Sequence, residues 1–219
     1  MLRFALVFLL VYTPVFSQNS EESVSDTLTP KLFNSAYMPL KDGINYIYDS
    51  SFGQTEMSME KEDSTFRVSY NGAGIEYSQN LHNSNGHILL TKTENEILFW
   101  GKTVTYESPV TRIPFPIKIG DTWSWTGMQS IEEYSGEVTI SGELLAEESI
   151  TTEAGTFECI KIEMTIKTRR KTDRLIEWLA PGIGIVKSEA HLASGGFTGT
   201  IQSILGLDVI EFELVHISD

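Results

Sequence analysis

From Tyr37 to the C terminus, short segments rich in β-branched and aromatic residues alternate with turn signals. Such segments favour strands, and no stretch shows the spacing of an amphipathic helix. Examples of these segments are Ile44–Tyr48, Phe66–Tyr70 and Val138–Ile140. The alternation therefore predicts an all-β fold, either a curved antiparallel sheet or a partly open β-barrel.

The residues between these segments predict hairpins. Each of the following stretches separates two apolar segments and carries residues that favour tight turns: Asn83–Gly86, Glu153–Gly155, Pro181–Gly182 and Ser194–Gly196. Consecutive hairpins make an antiparallel meander, in which each strand pairs with the next one along the chain.

The segment from Phe157 to Ile166 breaks the simple alternation. Phe157 and Cys159 are apolar at odd positions, whereas Ile160 and Ile162 are apolar at even positions. A shift of one residue turns every later side chain to the opposite face. Either a β-bulge lies near Cys159–Ile160, or the first part of the strand is covered on both faces. Cys159 is the single cysteine, so no intrachain disulfide is possible, and we expect it to be buried as an apolar residue.

Residues 1–17 have the composition of a secretory signal peptide. Arg3 precedes the apolar run Phe4–Val11, and the small residue Ser17 stands where cleavage is expected. The run is too short to span a membrane as a helix, and no later stretch approaches the necessary length. No cysteine near Ser17 could accept a lipid anchor. The sequence therefore predicts an exported, soluble protein, periplasmic or secreted, that begins at Gln18.

The chain is acidic, with 16 Lys and Arg residues against 30 Asp and Glu residues. Such a surface repels phosphate backbones, so nucleic acid is excluded as an expected partner. Residues 18–34 are rich in Ser, Glu, Asp and Thr and are interpreted as a flexible acidic lead-in. Residues 35–219 are long enough to bury the core of a single all-β domain.

Two segments of the chain repeat. Pro39–Tyr48 resembles Pro116–Trp125, because both keep a Pro, a Lys, a Gly and a pair of aromatic residues at alternate positions. A second, weaker similarity relates Ile97–Trp100 to Leu175–Trp178.

One interpretation of the repeat is a tandem duplication, with pseudo-repeat halves 37–115 and 116–219 that are each one β-meander. The other interpretation is that β-rich chains reuse similar turns. The two interpretations differ in whether the halves have the same backbone path.

The aromatic pairs of the repeated segments are candidate ligand-lining residues. They are Tyr46 and Tyr48 in the first segment and Trp123 and Trp125 in the second. Aromatic rows can line a lipid or sugar cleft. The alternative is that these four side chains are ordinary core residues.

The run Lys167–Arg174 concentrates positive charge in an otherwise acidic chain. The apolar alternation stops at Ile166 and resumes at Leu175, so the run is predicted to form an exposed hairpin tip. Arg169, Arg170 and Lys171 are candidate contacts for an anion, such as the phosphate of a glycolipid, or for the acidic surface of a partner. The alternative is a solvated tip without a binding role.

The sequence provides no motif for catalysis, a cofactor or a metal. His82 and His87 flank one predicted turn but lack further ligands, and no zinc-protease or serine-hydrolase motif is present. The neighbouring acids Glu132 and Glu133 point to opposite faces of a strand. We therefore expect no cofactor, no metal and no enzymatic activity.

Two hairpin motifs resemble a known family. They are Ala154-Gly155-Thr156-Phe157-Glu158-Cys159 and Trp178-Leu179-Ala180-Pro181-Gly182-Ile183-Gly184. With the strand Pro116–Trp125, they resemble the TapB-like or 3108-type domain of unknown function, an uncharacterised family of bacterial secreted and periplasmic proteins. The resemblance covers residues 37–190. It implies a curved antiparallel sheet or partly open barrel in the bacterial envelope, and no particular activity.

These observations favour an exported binding or scaffolding module of the bacterial envelope. Its partner would be an apolar ligand, an envelope glycolipid or another envelope protein. A structural or interaction protein without a small-molecule site is the second hypothesis. The third is an enzyme that acts on polysaccharide or lipid.

Overall fold

The structure is a computed structural model. It describes residues 29–72, 74–97, 100–193 and 207–218, without the side chains of Glu96, Ile97 and Trp100. Within these residues a 3-10 turn at Ser35–Tyr37 precedes twelve strands. The strands are β1 (Ile44–Ser50), β2 (Gly53–Glu62), β3 (Thr65–Gly72), β4 (Ile75–Ser84), β5 (His87–Ile97), β6 (Trp100–Pro114), β7 (Thr122–Ile131), β8 (Tyr134–Thr152), β9 (Gly155–Thr168), β10 (Thr172–Ala180), β11 (Gly184–His191) and β12 (Val209–Ile217).

Each strand pairs antiparallel with the next one along the chain, and β12 pairs with β1. The closing ladder runs from Tyr46 opposite Ile217 to Ser50 opposite Phe212. The predicted all-β, antiparallel fold is confirmed, and the barrel is closed because the first and last strands pair with each other. Closure removes the free edges that an open sheet would present to other chains.

The predicted hairpins are observed wherever the structure describes them. In the β4–β5 turn, Asn85 has φ 54° and Gly86 has φ 91°, the left-handed conformations that a type I′ turn requires. Glu153–Gly155 forms the β8–β9 turn, and Pro181–Gly182 lies in the β10–β11 turn. Ser194–Gly196 lies outside the described residues.

The N-terminal segment packs against the end of the barrel at which β1 begins. Phe33 exchanges two main-chain hydrogen bonds, of 2.8 and 3.0 Å, with Ile117 in the connection between β6 and β7. Both residues are buried together with Met38 and Phe115. The lead-in predicted over residues 18–34 therefore ends earlier than expected, because Phe33 already belongs to the core. Residues 18–28 lie outside the described part of the chain.

Alternating side chains of the strands fill the barrel interior. Apolar residues from both halves of the chain form one continuous core there. Interiors of this kind are held by close packing, so the filled interior is the main source of stability in a chain without a disulfide. The largest fully buried side chains are Tyr48, Phe33, Phe115, Leu81, Ile88 and Ile113.

A buried ion pair crosses this apolar interior. Nη2 of Arg112 donates to both carboxylate oxygens of Glu177 at 2.5 Å, and the two side chains are 5% and 4% exposed. Arg112 is the extra residue of a β-bulge, because Ile113 pairs with Ile88 while Thr111 pairs with Leu89. The bulge turns the guanidinium inward. Burial is the largest single influence and would lower the pKa of Arg112, but the charge of Glu177, its hydrogen bonds with Arg112 and the nearby phenols of Tyr77 and Tyr70 together raise that pKa.

A second, smaller apolar cluster lies on the outer face of the sheet. It consists of Cys159, Ile176, Trp178, Ala180 and Val186. Strand β9 runs in register past Cys159 and Ile160, which pair in order with Glu148 and Glu147 of β8. Cys159 therefore belongs to the outer cluster, whereas Ile160 belongs to the inner core. Coverage on both faces explains the broken alternation, and the nearest register shift lies in β8 beyond Leu144.

Trp178 is held in the outer cluster by charged neighbours. The ammonium groups of Lys161 and Lys187 lie 4.9 and 5.3 Å from its ring. Its indole N–H donates to Oε2 of Glu148 at 2.8 Å. The hydrogen bond from Trp178 and the nearby Lys161 together hold the pKa of Glu148 below its ordinary value. These contacts account for a tryptophan that is only 6% exposed on the outer wall.

The first repeated segment agrees with the strand count. Pro39–Tyr48 leads into β1 and Pro116–Trp125 leads into β7, the first and seventh of the twelve described strands. Gly43 and Gly120 both have positive φ, 77° and 86°. The second similarity, between Ile97–Trp100 and Leu175–Trp178, does not agree with the strand count, since Ile97 ends β5 while Leu175 lies inside β10. Tandem duplication stays a prediction.

Candidate functional site at the seam between β6 and β7

The barrel wall is interrupted between β6 and β7. These strands pair only at Val104, Thr105 and Tyr106, opposite Ile131, Ser130 and Gln129. On its other side, β7 pairs with β8 along its whole length. Residues 107–114 of β6 and 122–128 of β7 therefore face each other without ladder pairs, and we call this interruption the seam.

Local chemistry in β6 explains why the ladder stops. Val110 pairs with Leu90 and Thr105 pairs with Lys92, so residues 106–109 bulge out of the β5–β6 register. Pro109 and Pro114 have no N–H to donate to a neighbouring strand. Proline is confined to the edges and bulges of sheets for this reason. β6 therefore lacks two of the donors that an unbroken strand would carry.

Trp123 and Trp125 stand on the inward face of β7 beside the seam. Gly142 is the cross-strand partner of Trp123, and a Cβ there would collide with the indole. A Cβ on Gly127 would lie 2.5 Å from Cζ2 of Trp125. Because both positions are glycine, the two indoles can lie flat against the sheet. Both rings are partly buried against the core, and the indole N–H of Trp123 is buried without a hydrogen-bond partner.

Trp125 joins the two sides of the seam. Its indole N–H donates to the hydroxyl of Ser108 in β6 at 3.2 Å. The ring of Tyr106 meets it edge to face, with centroids 5.8 Å apart and an interplanar angle of 89°. Burial raises the pKa of Tyr106, so its phenol is neutral at physiological pH.

The carboxylate of Glu107 lies beside the Trp125 ring. Oε1 of Glu107 lies 2.6 Å from the position that a Cβ of Gly127 would occupy, and the edge of Trp125 lies against the same point. The exposed Glu107 side chain and the indole are therefore neighbours. We call the arrangement of Tyr106, Glu107 and Trp125 the seam corner. Two perpendicular aromatic walls beside a carboxylate are suited to holding a positively charged group.

The other predicted ligand-lining pair has a different environment. Tyr46 is 5% exposed and Tyr48 has no exposed area. The hydroxyl of Tyr48 donates to the main-chain carbonyl of Ile185 at 2.7 Å. Both tyrosines are thus core residues that contact protein on every side, whereas Trp123 and Trp125 keep partly exposed rings.

The structure places the basic run at a hairpin tip, as its sequence predicts. Strand β9 ends at Thr168 and β10 begins at Thr172, with Arg169 and Arg170 exposed in the turn. Lys171 instead pairs with Asp173 at 2.5 Å. The tip lies at the barrel end opposite the N-terminal segment, away from the turns that Phe33 and Met38 contact.

A surface cleft lies elsewhere on the described part of the barrel. The cleft beside Arg67, Glu94 and Lys102 has a volume of about 280 Å³, and its charges are paired, Arg67 with Glu94 at 2.5 Å and Lys102 with Glu132 at 2.9 Å. His82 pairs with Leu89 and therefore does not face His87 across the hairpin. No cluster of His, Cys, Asp or Glu in the described part of the chain is arranged to hold a metal ion.

Among the described residues, no helix is long and apolar enough to cross a membrane. The fold and the site define a closed antiparallel β-barrel protein with a filled interior and one interrupted wall. Residues 126–202 match the DUF3108-like family, so the resemblance seen in the hairpin motifs is confirmed for this part of the chain.

Three solved bacterial structures are similar to the chain, each over 83% of its length. A candidate lipoprotein from Parabacteroides distasonis is 14% identical, with a TM-score of 0.43 over 98% of that chain. A candidate exported protein with a YmcC-like fold from Bacteroides fragilis is 17% identical, with a TM-score of 0.40 over 98% of that chain. The hypothetical lipoprotein YmcC from Escherichia coli is 13% identical, with a TM-score of 0.45 over 90% of that chain. No curated protein matches the chain.

Proposed function

We propose that this protein is an exported, non-enzymatic binding module of the bacterial envelope whose partner docks at the seam. The observation that carries the proposal is the interrupted ladder between β6 and β7, flanked by Trp123 and Trp125. Within the described residues, every other neighbouring strand pair of the barrel has a longer ladder. Large, partly exposed aromatic side chains beside an interrupted ladder are features of protein interaction sites.

The choice of a protein partner over an apolar ligand rests on the interior. Core side chains fill the described barrel, and Arg112 and Glu177 occupy its middle as an ion pair. An apolar ligand would have to displace packed side chains and desolvate that pair. A partner at the wall avoids both costs.

Export is the part of the proposal that rests on residues 1–17. Their basic start, apolar run and small residue at Ser17 fit the export machinery. N-terminal sequencing of the protein from the periplasm or the medium should begin at Gln18. A cytoplasmic protein that starts at Met1 would overturn this part.

Site-specific cross-linking in the native bacterium tests the docking site. A photo-reactive amino acid at Ser108, in the seam, should give a defined cross-linked product. The same group at Tyr134, which is 75% exposed at the β7–β8 turn, is the matched control and should not give that product. A product that is equal at both positions, or present at Tyr134 alone, would argue against docking at the seam.

A further inference from the structure

We propose that the outer wall beside the β9–β10 tip is a second binding surface, which takes a phosphate-bearing glycan chain. The surface consists of two rows of side chains on β7–β10 together with the cations at the tip, and we call it the basic wall. This inference goes beyond the proposed function, which concerns the seam and a protein partner.

The strand register defines the two rows of the basic wall. The members of each row are cross-strand partners on four consecutive strands; in order, they are Thr126, Thr139, Lys167 and Thr172 in the first row and Ser124, Ser141, Thr165 and Arg174 in the second. They face outward, because the residues that alternate with them, such as Val138, Ile140 and Met164, are buried in the core. Strands about 4.8 Å apart make each row about 14 Å wide. Every member carries a hydroxyl or a positive charge, and none carries a carboxylate.

The free positive charge of the basic wall comes from Lys167, Arg169 and Arg170. All three side chains are exposed, and none has a carboxylate partner within the part of the chain that the structure describes. Every other arginine among the described residues is ion-paired with a glutamate. The tip therefore differs from the rest of the surface in holding arginine without a counter-charge.

The acidic residues beside the tip do not neutralise it, because they already have partners. One carboxylate oxygen of Asp173 pairs with Lys171 at 2.5 Å, and the other accepts from the main-chain N–H of Ala193 at 3.0 Å. Glu163 pairs with Arg174 at 2.6 Å. The remaining positive charge of the basic wall is thus available to a ligand.

Cations beside hydroxyl groups are suited to binding phosphate. The guanidinium of arginine presents paired N–H donors that match phosphate oxygens, and lysine and Ser or Thr hydroxyls supply further donors. Hydroxyls also both donate and accept, so the two rows can bond to sugar hydroxyls between phosphates. Because the chain has a formal charge of −14, an anion is attracted to this wall and repelled by the surface as a whole.

The composition of the basic wall disfavours a protein partner. Protein interfaces are enriched in aromatic residues and methionine and depleted of serine and lysine. Neither row contains an aromatic residue or a methionine, whereas the seam is flanked by Trp123 and Trp125. The two surfaces therefore suit partners of different chemistry.

The neighbouring β7–β8 hairpin favours a glycan chain over a lipid surface. Thr168 at the end of β9 lies opposite Val138, whereas β8 begins at Tyr134, so this hairpin continues beyond the basic tip. Its turn carries Glu132 and Glu133, which are both exposed. An anionic membrane that approached the tip would also meet these carboxylates, whereas a glycan chain can lie along the wall without contacting them.

Capture of the exported chain on immobilised phosphomannan tests the inference, and the same mannan after removal of its phosphates is the matched ligand. The wild type is expected to bind phosphomannan and to bind the dephosphorylated polymer at least tenfold more weakly. Binding should also weaken as salt is added, since exposed charges are screened within about 10 Å at about 0.1 M. Equal capture by both polymers, or capture by neither, would overturn the inference.

Charge-matched variants locate the site. The tip variant combines Lys167→Ser, Arg169→Ser and Arg170→Ser and should bind phosphomannan at least tenfold more weakly than the wild type. The control variant removes three exposed lysines at the opposite end of the barrel, by Lys41→Ser, Lys61→Ser and Lys118→Ser. Its affinity should stay within about twofold of the wild type. Equal losses in both variants would mean that only net charge matters and would overturn the site.

The hydroxyl rows have a separate test. The hydroxyls of Thr126 and Thr139 lie 3.0 Å apart, and valine at both positions removes them while keeping the side-chain shape. Thr126→Val with Thr139→Val should weaken binding at least threefold without changing its salt dependence. The control is Thr151→Val with Thr156→Val, an exposed hydroxyl pair of the same 3.0 Å separation near the β8–β9 turn, which should not alter the affinity. Unchanged affinity in both double variants would overturn the role of the rows.

Two other probes decide the occupant. Polyglutamate represents an acidic protein, and vesicles of phosphatidylglycerol represent an anionic membrane. Both are expected to hold the protein more weakly than phosphomannan does, and stronger binding to either would overturn the choice of a glycan. Urea midpoints equal to that of the wild type establish that each variant is folded.

Discussion

Removing one partner of the Arg112–Glu177 pair tests how the barrel interior is stabilised. Glu177→Gln keeps the shape of the side chain but leaves a guanidinium that is 5% exposed without its counter-charge. Opposite charges about 4 Å apart attract by about 4 kcal/mol at an effective dielectric constant of about 20. Breaking a buried pair costs about 3–5 kcal/mol because the remaining charge is uncompensated. We expect a loss of that size in the free energy of unfolding.

Replacing both partners should behave differently. Arg112→Met combined with Glu177→Leu removes both charges together with their desolvation cost, so its stability should lie within about 2 kcal/mol of the wild type. Equilibrium unfolding in urea, followed by tryptophan fluorescence and circular dichroism, measures each variant.

An exposed ion pair of similar length is the control for this cycle. Arg174 and Glu163 lie 2.6 Å apart, with side chains 45% and 27% exposed. Glu163→Gln should cost less than about 1 kcal/mol, since exposed pairs are weak. A Glu177→Gln loss as small as the control, or a double variant as unstable as the two single losses added together, would refute the reasoning.

Three further predictions concern the buried cysteine, the buried tyrosines and the exposed arginines of the β9–β10 tip. Burial raises the pKa of the Cys159 thiol to about 11. A thiol reagent at about pH 8 should therefore label the folded protein at least a hundredfold more slowly than the urea-unfolded chain. Similar labelling rates would contradict the burial of Cys159. Burial also raises the pKa of Tyr48, Tyr70 and Tyr77. Their contribution to stability is therefore complete below about pH 10 and falls as pH rises further, because only the unfolded chain then releases these protons. Urea midpoints that stay constant above that pH would contradict this prediction. The double change Arg169→Ser and Arg170→Ser should alter the free energy of unfolding by less than about 0.5 kcal/mol, because both side chains are exposed. If the tip contacts anions, the same double change should also weaken salt-sensitive retention on anionic lipid vesicles.

The local features of the fold could be predicted from the sequence because they depend on neighbouring residues. Asn85-Gly86 can adopt the positive φ angles of a hairpin turn, and Pro181-Gly182 favours a turn for similar reasons. The basic run could be placed at a tip because charges such as Arg169 and Arg170 cannot be buried unpaired. None of these inferences requires knowledge of distant parts of the chain.

Long-range features could not be predicted in the same way. Closure depends on β1 meeting β12, and neither strand carries a local sign of its partner. The Arg112–Glu177 pair joins residues on β6 and β10, and the inward direction of Arg112 depends on a bulge. The burial of Phe33 could not be predicted because a single apolar residue makes no periodic pattern.

The candidate site could be predicted from the sequence only in part. The sequence pattern predicts Trp123 and Trp125 as a ligand-lining pair at alternate positions, yet the same pattern predicts Tyr46 and Tyr48, which lie in the core. What distinguishes the pairs is the residue beside each ring.

Glycine at 127 and 142 gives the indoles room to lie along β7, and Pro109 removes a donor from the strand that would otherwise cover them. A strand that contains prolines, next to a strand whose tryptophans face glycines, is therefore the sequence signal for an interrupted wall. The signal becomes usable only once the strand order is known, because Pro109 and Gly127 act on the seam only if β6 and β7 are neighbours.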